Sequence, residues 1–241
     1  MDELQVEVAG TAERLDKNSR QDVRRQTAKI LLDIKAVLFN VEEPFTLTSG
    51  SKSPVYIDCR KIISFPKERN QIIESAVKIL KSDAVAQNID MVAGGETAGI
   101  PYGAWISDRM DLPMLYVRKK PKGFGRMAQI EGYMEEENQN VLLVEDLTTD
   151  GASKITFCNV LRDAGAKVTD VFSVFYYDIF PESEGIFNDA GVKLHYLTTW
   201  HDVLAVAREE EYFDEKVLSE VEAFLEAPSD WSAKRGGVIS N

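Results

Sequence analysis

The chain of 241 residues is long enough for one sizeable domain, and its 44% hydrophobic and 28% charged residues are typical of a globular protein. Its 40 acidic residues outnumber 28 basic ones, and the resulting net charge of −12 argues against a general surface for nucleic acid or for anionic membranes. The sequence shows neither a secretory signal nor an apolar run near the ~20 residues of a membrane span. Its two cysteines lack paired spacing, so we expect the protein to reside in a reducing cytoplasm.

The first part of the chain predicts an arm, a helix and a small cap. Residues 1–19 are mostly polar and are expected to form a mobile arm. Apolar residues at helical spacing predict an amphipathic helix over residues 20–39. Between residues 41 and 66, Ser, Thr, Gly and Pro alternate with short apolar runs, which predicts short strands and loops. We interpret residues 20–66 as a small N-terminal cap on the main core.

From residue 67 onward, helical and strand-like segments alternate. Strands are predicted near residues 91–93, 114–118, 141–145, 168–176 and 193–197, and helices near residues 67–82, 100–110, 153–164 and 211–226. This alternation predicts an α/β fold with a mainly parallel sheet flanked by helices, whose ligands bind at the carboxyl ends of the strands. We expect a single domain over residues 20–226 and a frayed C-terminal tail over residues 227–241.

A buried-looking strand ends in two adjacent carboxylates, Glu145 and Asp146, and leads through a small polar loop into a helix. Backbone N–H groups of residues 149–153, with the helix N-terminus, predict a nest suited to a phosphate monoester. The carboxylates are placed to accept hydrogen bonds from ribose hydroxyls or to lie near Mg²⁺ bridging to a polyphosphate. The simpler alternative is that Asp150 or Ser153 caps the helix and that the acidic pair is a solvated strand end.

A second segment, residues 118–126, places five basic residues within nine positions of an otherwise acidic chain. Gly123 and Gly125 make this segment pliable. A basic excursion at a strand end suits a lid that closes over pyrophosphate, because charge-assisted contacts stabilise a leaving group that gains negative charge. The alternative is a solvated loop that balances the acidic surface.

A third segment, residues 91–101, is a glycine-rich turn from strand to helix whose backbone is able to approach pyrophosphate closely. It lacks the G-x-G-x-x-G spacing of a dinucleotide site, and the chain carries no P-loop motif. His195 and His201 show no metal-ligand spacing, so a structural role is predicted for them.

Together these segments resemble the orotate phosphoribosyltransferases, which are type I phosphoribosyltransferases, from about residue 45 to residue 166. Residues 45–58 are similar to the family's orotate-side segment, residues 141–153 to its phosphoribosyl pyrophosphate motif, and the basic segment to its mobile catalytic loop. The resemblance implies transfer of phosphoribosyl from phosphoribosyl pyrophosphate to N1 of orotate, which yields orotidine 5′-monophosphate and pyrophosphate in pyrimidine biosynthesis. It also implies Mg²⁺ as cofactor, held mainly by the substrate, and a homodimer with shared active sites.

The same resemblance implies roles for individual residues. Lys122 matches the catalytic lysine, and Arg118 and Lys119 would assist it as leaving-group cations. The expected substrate-binding residues are Thr48, Lys52, Tyr56, Thr97, Ala98, Glu145, Asp146, Leu147, Thr148, Thr149, Asp150, Gly151, Ala152 and Ser153. Asp146 is the one candidate protein ligand for Mg²⁺.

The chain departs from the family pattern at four places. Phe124 replaces the usual histidine of the mobile loop, Thr97 and Ala98 replace a Tyr-Lys pair, and Asp150 stands where a small neutral or hydroxyl residue is common. Residues 177–179, Tyr-Asp-Ile, lack the arginine that many relatives place beside the orotate carboxylate. Two alternatives stay open: a phosphoribosyltransferase with another acceptor, and a non-catalytic regulator that senses phosphoribosyl pyrophosphate.

Overall fold

The computed structural model describes residues 15–47, 49–83, 85–123, 128–135 and 137–238. The strands in these residues are β1 (Val37–Phe39), β2 (Phe45–Thr46), β3 (Lys52–Ser53), β4 (Val55–Ile57), β5 (Met91–Gly95), β6 (Met114–Val117), β7 (Ile130–Glu131), β8 (Asn140–Thr148), β9 (Lys167–Tyr176) and β10 (Lys193–Thr199). The helices are α1 (Lys17–Asp33), α2 (Pro66–Ser82), α3 (Gly99–Met110), α4 (Ala152–Asp163), α5 (Glu182–Asp189), α6 (Trp200–Glu209), α7 (Glu215–Glu226) and α8 (Pro228–Ala233). None of these helices is both long and apolar enough to cross a bilayer.

Six strands form the main sheet in the order β10-β9-β8-β5-β6-β7, and all neighbours are parallel except β6 and β7. Successive side chains of a strand point to opposite faces. Leu142 and Val144 of β8 accordingly pack in a core cluster with α1, α2, α3, α6 and α7, whereas Val141 and Leu143 pack in a cluster with α4 and α5. The prediction of a mainly parallel α/β sheet flanked by helices is confirmed.

The N-terminal helix is displaced from its predicted position. Asp16 caps α1, which therefore begins before residue 20, while residues 1–14 of the expected arm lie outside the described residues. Lys35 adopts a left-handed conformation with φ of 55°, which ends the helical segment. Val37 and Leu38 were expected on the helix, and that prediction was wrong because they pair with β4 in an antiparallel strand.

The described residues between 37 and 64 form a small hood that precedes the main sheet in the chain. It consists of the antiparallel pairs β1–β4 and β2–β3 followed by a 3₁₀ turn, Cys59–Ser64. The hydroxyl of Tyr102 on α3 donates to the carbonyl oxygen of Cys59 at 2.7 Å and attaches the hood to the main body. The short strands and loops predicted after residue 41 are confirmed.

The C-terminal segment docks on the β2–β3 hairpin of the hood. Trp231 of α8 is buried. The Ser232 hydroxyl accepts a hydrogen bond from the Lys52 N–H at 2.8 Å, and the Val238 N–H donates to the Gly50 carbonyl at 3.1 Å. The expectation of a frayed tail was wrong for these residues, because a buried tryptophan and two hydrogen bonds to the hairpin anchor them.

His195 lies buried on β10 between two carboxylates. Its Nδ1 is 2.9 Å from Asp83 Oδ2 and its Nε2 is 2.7 Å from Asp170 Oδ1. Burial opposes ionisation of both acids, but hydrogen bonding of each with His195, and of Asp83 with Arg20, outweighs it and lowers their pKa values. The cluster joins α1, the end of α2, β9 and β10, which agrees with the structural role predicted for His195.

Candidate active site

A cavity of about 810 Å³ opens at the carboxyl ends of the sheet strands. Residues 96–98 follow β5, Lys119 lies beyond β6, Asp146 lies near the end of β8, and Tyr177 follows β9. The hood supplies further wall, including Tyr56. This is the edge at which ligands of parallel α/β sheets bind.

The acidic pair lies within β8, which continues to Thr148 instead of ending at residue 145, because its last residues still pair with β9. The Glu145 side chain is almost completely buried, and desolvation raises its pKa to about 7. Burial also raises the pKa of Asp146. A Cβ at Gly95 would collide with the Glu145 carboxylate, so the glycine-rich turn makes the room that this carboxylate occupies.

The loop after β8 turns sharply into α4. Gly151 is the N-cap, with φ of 96°, and Asp150 Oδ1 accepts a hydrogen bond from the Ala152 N–H at 3.0 Å. Thr149 and Ser153 line the cavity. The simpler alternative for this loop therefore holds in one respect, since the Asp150 carboxylate does engage an N–H group at the helix start.

Two other residues of the expected phosphate segment differ in their surroundings. Leu147 lines the cavity. The side chain of Thr148 is fully buried, and its Oγ1 lies 2.6 Å from Ser173 Oγ on the neighbouring strand. Its expected role in substrate binding thus concerns its backbone alone and stays a prediction.

The basic segment divides into one residue at the cavity and two residues away from it. Lys119 lines the cavity, and its N–H donates to Glu96 Oε2 at 2.7 Å. Arg118 and Lys122 instead lie 3.3 and 3.6 Å from the same oxygen, Oε1 of Glu131 on β7. The Lys122 side chain is 71% exposed. Residues 124–127, which include Phe124 and Arg126, lie outside the described residues.

Only some of the residues predicted on the acceptor side lie at the cavity. The Tyr56 ring lines the cavity and packs against Phe45, with 5.5 Å between ring centroids. Lys52 Nζ donates to Thr46 Oγ1 at 2.7 Å and is not part of the described cavity wall. Thr97 and Ala98 line the cavity, whereas Thr48 lies outside the described residues.

Two basic cavity residues were not predicted from the sequence. Arg60 extends from the hood and pairs with Asp58, its Nε lying 2.6 Å from Oδ1. Lys154, in the first turn of α4, places its Nζ 3.3 Å from Ser153 Oγ and partly offsets the raised pKa of Glu145. Lys154 directly follows the segment 141–153, and Arg60 lies two residues after the segment 45–58, so that proximity was the available signal.

The acidic pair fits a magnesium ion that arrives with its substrate. No group of three or more His, Cys, Asp or Glu side chains forms a metal site in the described part of the chain. Glu145 and Asp146 nevertheless place two carboxyl groups at one cavity. Mg²⁺ commonly binds one or two carboxylates together with substrate phosphates, so a complete set of protein ligands is not required.

The chain resembles a consistent group of known proteins. Orotate phosphoribosyltransferase of Rhizobium meliloti (strain 1021) is 55% identical over 211 residues, which cover 88% of this chain and 90% of the relative. The same enzyme of Agrobacterium fabrum (strain C58 / ATCC 33970) is 56% identical over 219 residues, with 91% and 94% covered. The crystal structure of orotate phosphoribosyltransferase from Aeropyrum pernix matches with a TM-score of 0.65 and 27% identity, covering 78% of this chain and 99% of that one. No family model matches the chain.

Proposed function

Since this chain belongs to the orotate phosphoribosyltransferase family, we propose that the cavity at the sheet edge holds phosphoribosyl pyrophosphate and orotate side by side. The family's reaction is a pentosyl transfer in pyrimidine biosynthesis, which joins N1 of orotate to the anomeric carbon of the ribose and releases pyrophosphate. One observation carries the residue assignments. A single cavity brings together the acidic pair, the polar loop before α4 and the aromatic wall of the hood.

The acidic pair binds the ribose of the sugar phosphate, and the following loop binds its 5′-phosphate. Glu145 and Asp146 accept hydrogen bonds from the ribose hydroxyls, and as carboxylates they favour the positive charge that develops on the ring. Thr149, Ser153 and the N–H groups of the turn bind the 5′-phosphate at the start of α4. An incoming phosphate competes with the Asp150 carboxylate for the Ala152 N–H.

Lys122 stabilises the departing pyrophosphate, with Arg118 and Lys119 assisting it. The reaction needs positioning and charge stabilisation and uses no covalent protein intermediate. Arg118 and Lys122 pair with Glu131, and the described cavity wall includes neither of them. These cations therefore reach a bound substrate only if the basic segment moves, as a closing lid does, or acts at the cavity of a second subunit.

We extend the proposal to the cofactor, the assembly and the location. Bound Mg²⁺ would neutralise charge on the pyrophosphate, with Asp146 as its protein ligand. A homodimer would bring the basic segment of one subunit to the cavity of the other. A reducing cytoplasm agrees with Cys59 and Cys158, which are both free and buried.

The reaction is tested by following the ultraviolet absorbance of orotate with the purified protein, Mg²⁺ and phosphoribosyl pyrophosphate. We expect a decrease that requires all four components, with one pyrophosphate released for each orotate consumed. Absence of a decrease in the complete mixture, with the protein folded, would contradict the proposed function. A decrease that persists without Mg²⁺ would contradict only the cofactor assignment.

A further inference from the structure

The acceptor proposed above carries a carboxylate, and residues 177–179, which follow β9, include no basic side chain to bind it. Ile179 is buried, and its neighbour Asp178 is itself an acid. A carboxylate that leaves water for a cavity needs a charged or hydrogen-bonding partner, because its desolvation is otherwise costly. The partner has to come from another part of the wall.

Three basic side chains line the cavity within the described residues: Arg60, Lys119 and Lys154. Lys154 Nζ lies 3.3 Å from Ser153 Oγ, a group proposed to bind the 5′-phosphate, which places it with the sugar phosphate. Lys119 belongs to the basic segment, and its N–H donates to Glu96, the residue after β5. Arg60 alone of the three belongs to the hood.

The Arg60 guanidinium is oriented by its neighbour but retains donors for an anion. Its Nε is 2.6 Å from Asp58 Oδ1, an atom that also accepts from the Arg60 N–H at 3.2 Å. Its Nη2 makes only a long contact, 3.4 Å, with the Tyr56 hydroxyl, and Nη1 has no hydrogen bond among the described residues. A guanidinium has five N–H donors in a planar fork, so one edge remains open for a carboxylate.

The same part of the hood presents a flat ring and a cationic fork. Tyr56 and Arg60 both line the cavity, four residues apart in the sequence. Orotate likewise combines a flat ring with a planar carboxylate, and arginine binds planar carboxylates through paired hydrogen bonds. We infer that Arg60 binds the carboxylate of the acceptor and selects orotate over the same pyrimidine without that group. This inference rests on the proposed function and adds a specificity residue to it.

A purely structural role for Arg60 is the competing explanation, because its side chain also holds Asp58. The two roles differ in their dependence on the ligand's carboxylate. Uridine 5′-monophosphate is orotidine 5′-monophosphate without the carboxylate, so the two nucleotides share every other contact. Loss of a carboxylate partner weakens binding of only one of them, whereas distortion of the hood weakens both.

The experiment measures the dissociation constants of both nucleotides by calorimetry, for the unaltered protein and for Arg60→Gln, Arg60→Lys and the control Lys61→Gln. The Lys61→Gln substitution removes the same charge from the adjacent position. In the unaltered protein, Lys61 Nζ donates to the Lys35 carbonyl oxygen at 3.1 Å. For Arg60→Gln we expect orotidine 5′-monophosphate to bind about 10- to 100-fold more weakly, with little change for uridine 5′-monophosphate. Arg60→Lys should lie between, because lysine keeps the charge but lacks the fork.

Equal losses for both nucleotides, or an unchanged preference in Arg60→Gln, would overturn the inference. A loss of preference in Lys61→Gln as large as that in Arg60→Gln would also overturn it, because the effect would then follow the net charge of the hood. Failure of the proposed function is a separate result, because the unaltered protein would then not consume orotate in the absorbance assay. A protein that consumes orotate while Arg60→Gln keeps its nucleotide preference would refute the role of Arg60 alone.

Discussion

The floor of the cavity and its basic lid are built in opposite ways. On the floor, Glu145 is 4% exposed and fits against Gly95, on strands that the sheet holds in register. In the lid, which is the basic segment, the Lys122 side chain is 71% exposed, and its Nζ lies 3.6 Å from Oε1 of Glu131 on β7. The buried groups are positioned before substrate arrives, whereas under the proposed function the lid cations would exchange Glu131 for the pyrophosphate.

This contrast separates binding from chemistry. Under the proposed function, the buried acidic pair would bind the ribose from a fixed position, and the lid would supply charge where the leaving group develops it. Mutations in the floor should therefore change dissociation constants most, and mutations in the lid should change turnover most.

The largest expected effect is that of Lys122→Ala, which removes the leaving-group cation. We expect kcat to fall by a factor on the order of 10²–10³, with the dissociation constant for phosphoribosyl pyrophosphate changed by less than about tenfold. Steady-state kinetics and calorimetry measure the two quantities. Lys120→Ala removes an equal charge from the same segment and should lose less than tenfold in kcat. Near-normal turnover in Lys122→Ala would remove this residue from the mechanism.

Asp146→Asn tests the floor. We expect the dissociation constant for phosphoribosyl pyrophosphate with Mg²⁺ to rise by about 10- to 100-fold, because a charged acceptor for the ribose and the metal is lost. Asp150→Asn removes the same charge from the adjoining loop. The Asp150→Asn variant should bind phosphoribosyl pyrophosphate at least as tightly as the unaltered protein does, since no carboxylate then competes for the Ala152 N–H. Equal weakening in both variants would mean that overall charge, and not position, governs binding.

Asp170→Asn tests whether a remote cluster supports the sheet that carries the floor. The pKa of Asp170 is lowered in the folded protein, so its ionised form stabilises the fold above its unfolded pKa of about 3.9, and this contribution is lost as the pH falls through the folded value. Urea unfolding should show a loss of about 1–3 kcal/mol at pH 7 that shrinks below about pH 4. The exposed Asp189 provides the control variant, Asp189→Asn. A loss independent of pH would contradict the ionic role.

The smallest expected effect is that of Glu131→Gln, which releases Arg118 and Lys122 from their shared partner. Exposed ion pairs contribute about 0–1 kcal/mol, so kcat/KM for phosphoribosyl pyrophosphate should rise by no more than about fivefold. The increase should disappear at high salt, which screens the pair. Glu135→Gln, an exposed neighbour, should show no increase. A large decrease in Glu131→Gln would give this carboxylate a direct role in the reaction.

The sheet was the most predictable part of the structure, because long apolar runs bounded by turn residues specify buried strands with little competition. The start of α4 was predicted within one residue for the same reason. The boundary at Lys35 was not, since a lysine in a left-handed conformation leaves no trace in the hydrophobic pattern. The pairing of Glu131 with Arg118 and Lys122 was also beyond the sequence, because it depends on which segments the fold brings together.

The docking of the C-terminal segment has a consequence for biosynthesis. Ser232 lies 180 residues after Lys52, the residue whose backbone it binds. At a translation rate of about 5–20 residues per second, the β2–β3 hairpin waits roughly 10 to 40 s on the ribosome for this partner. The strands of the sheet are all synthesised before then. The hood side of the cavity is thus the last part to be completed, and a chain interrupted near residue 230 would carry the acidic pair and the loop before α4 beside an unanchored hairpin.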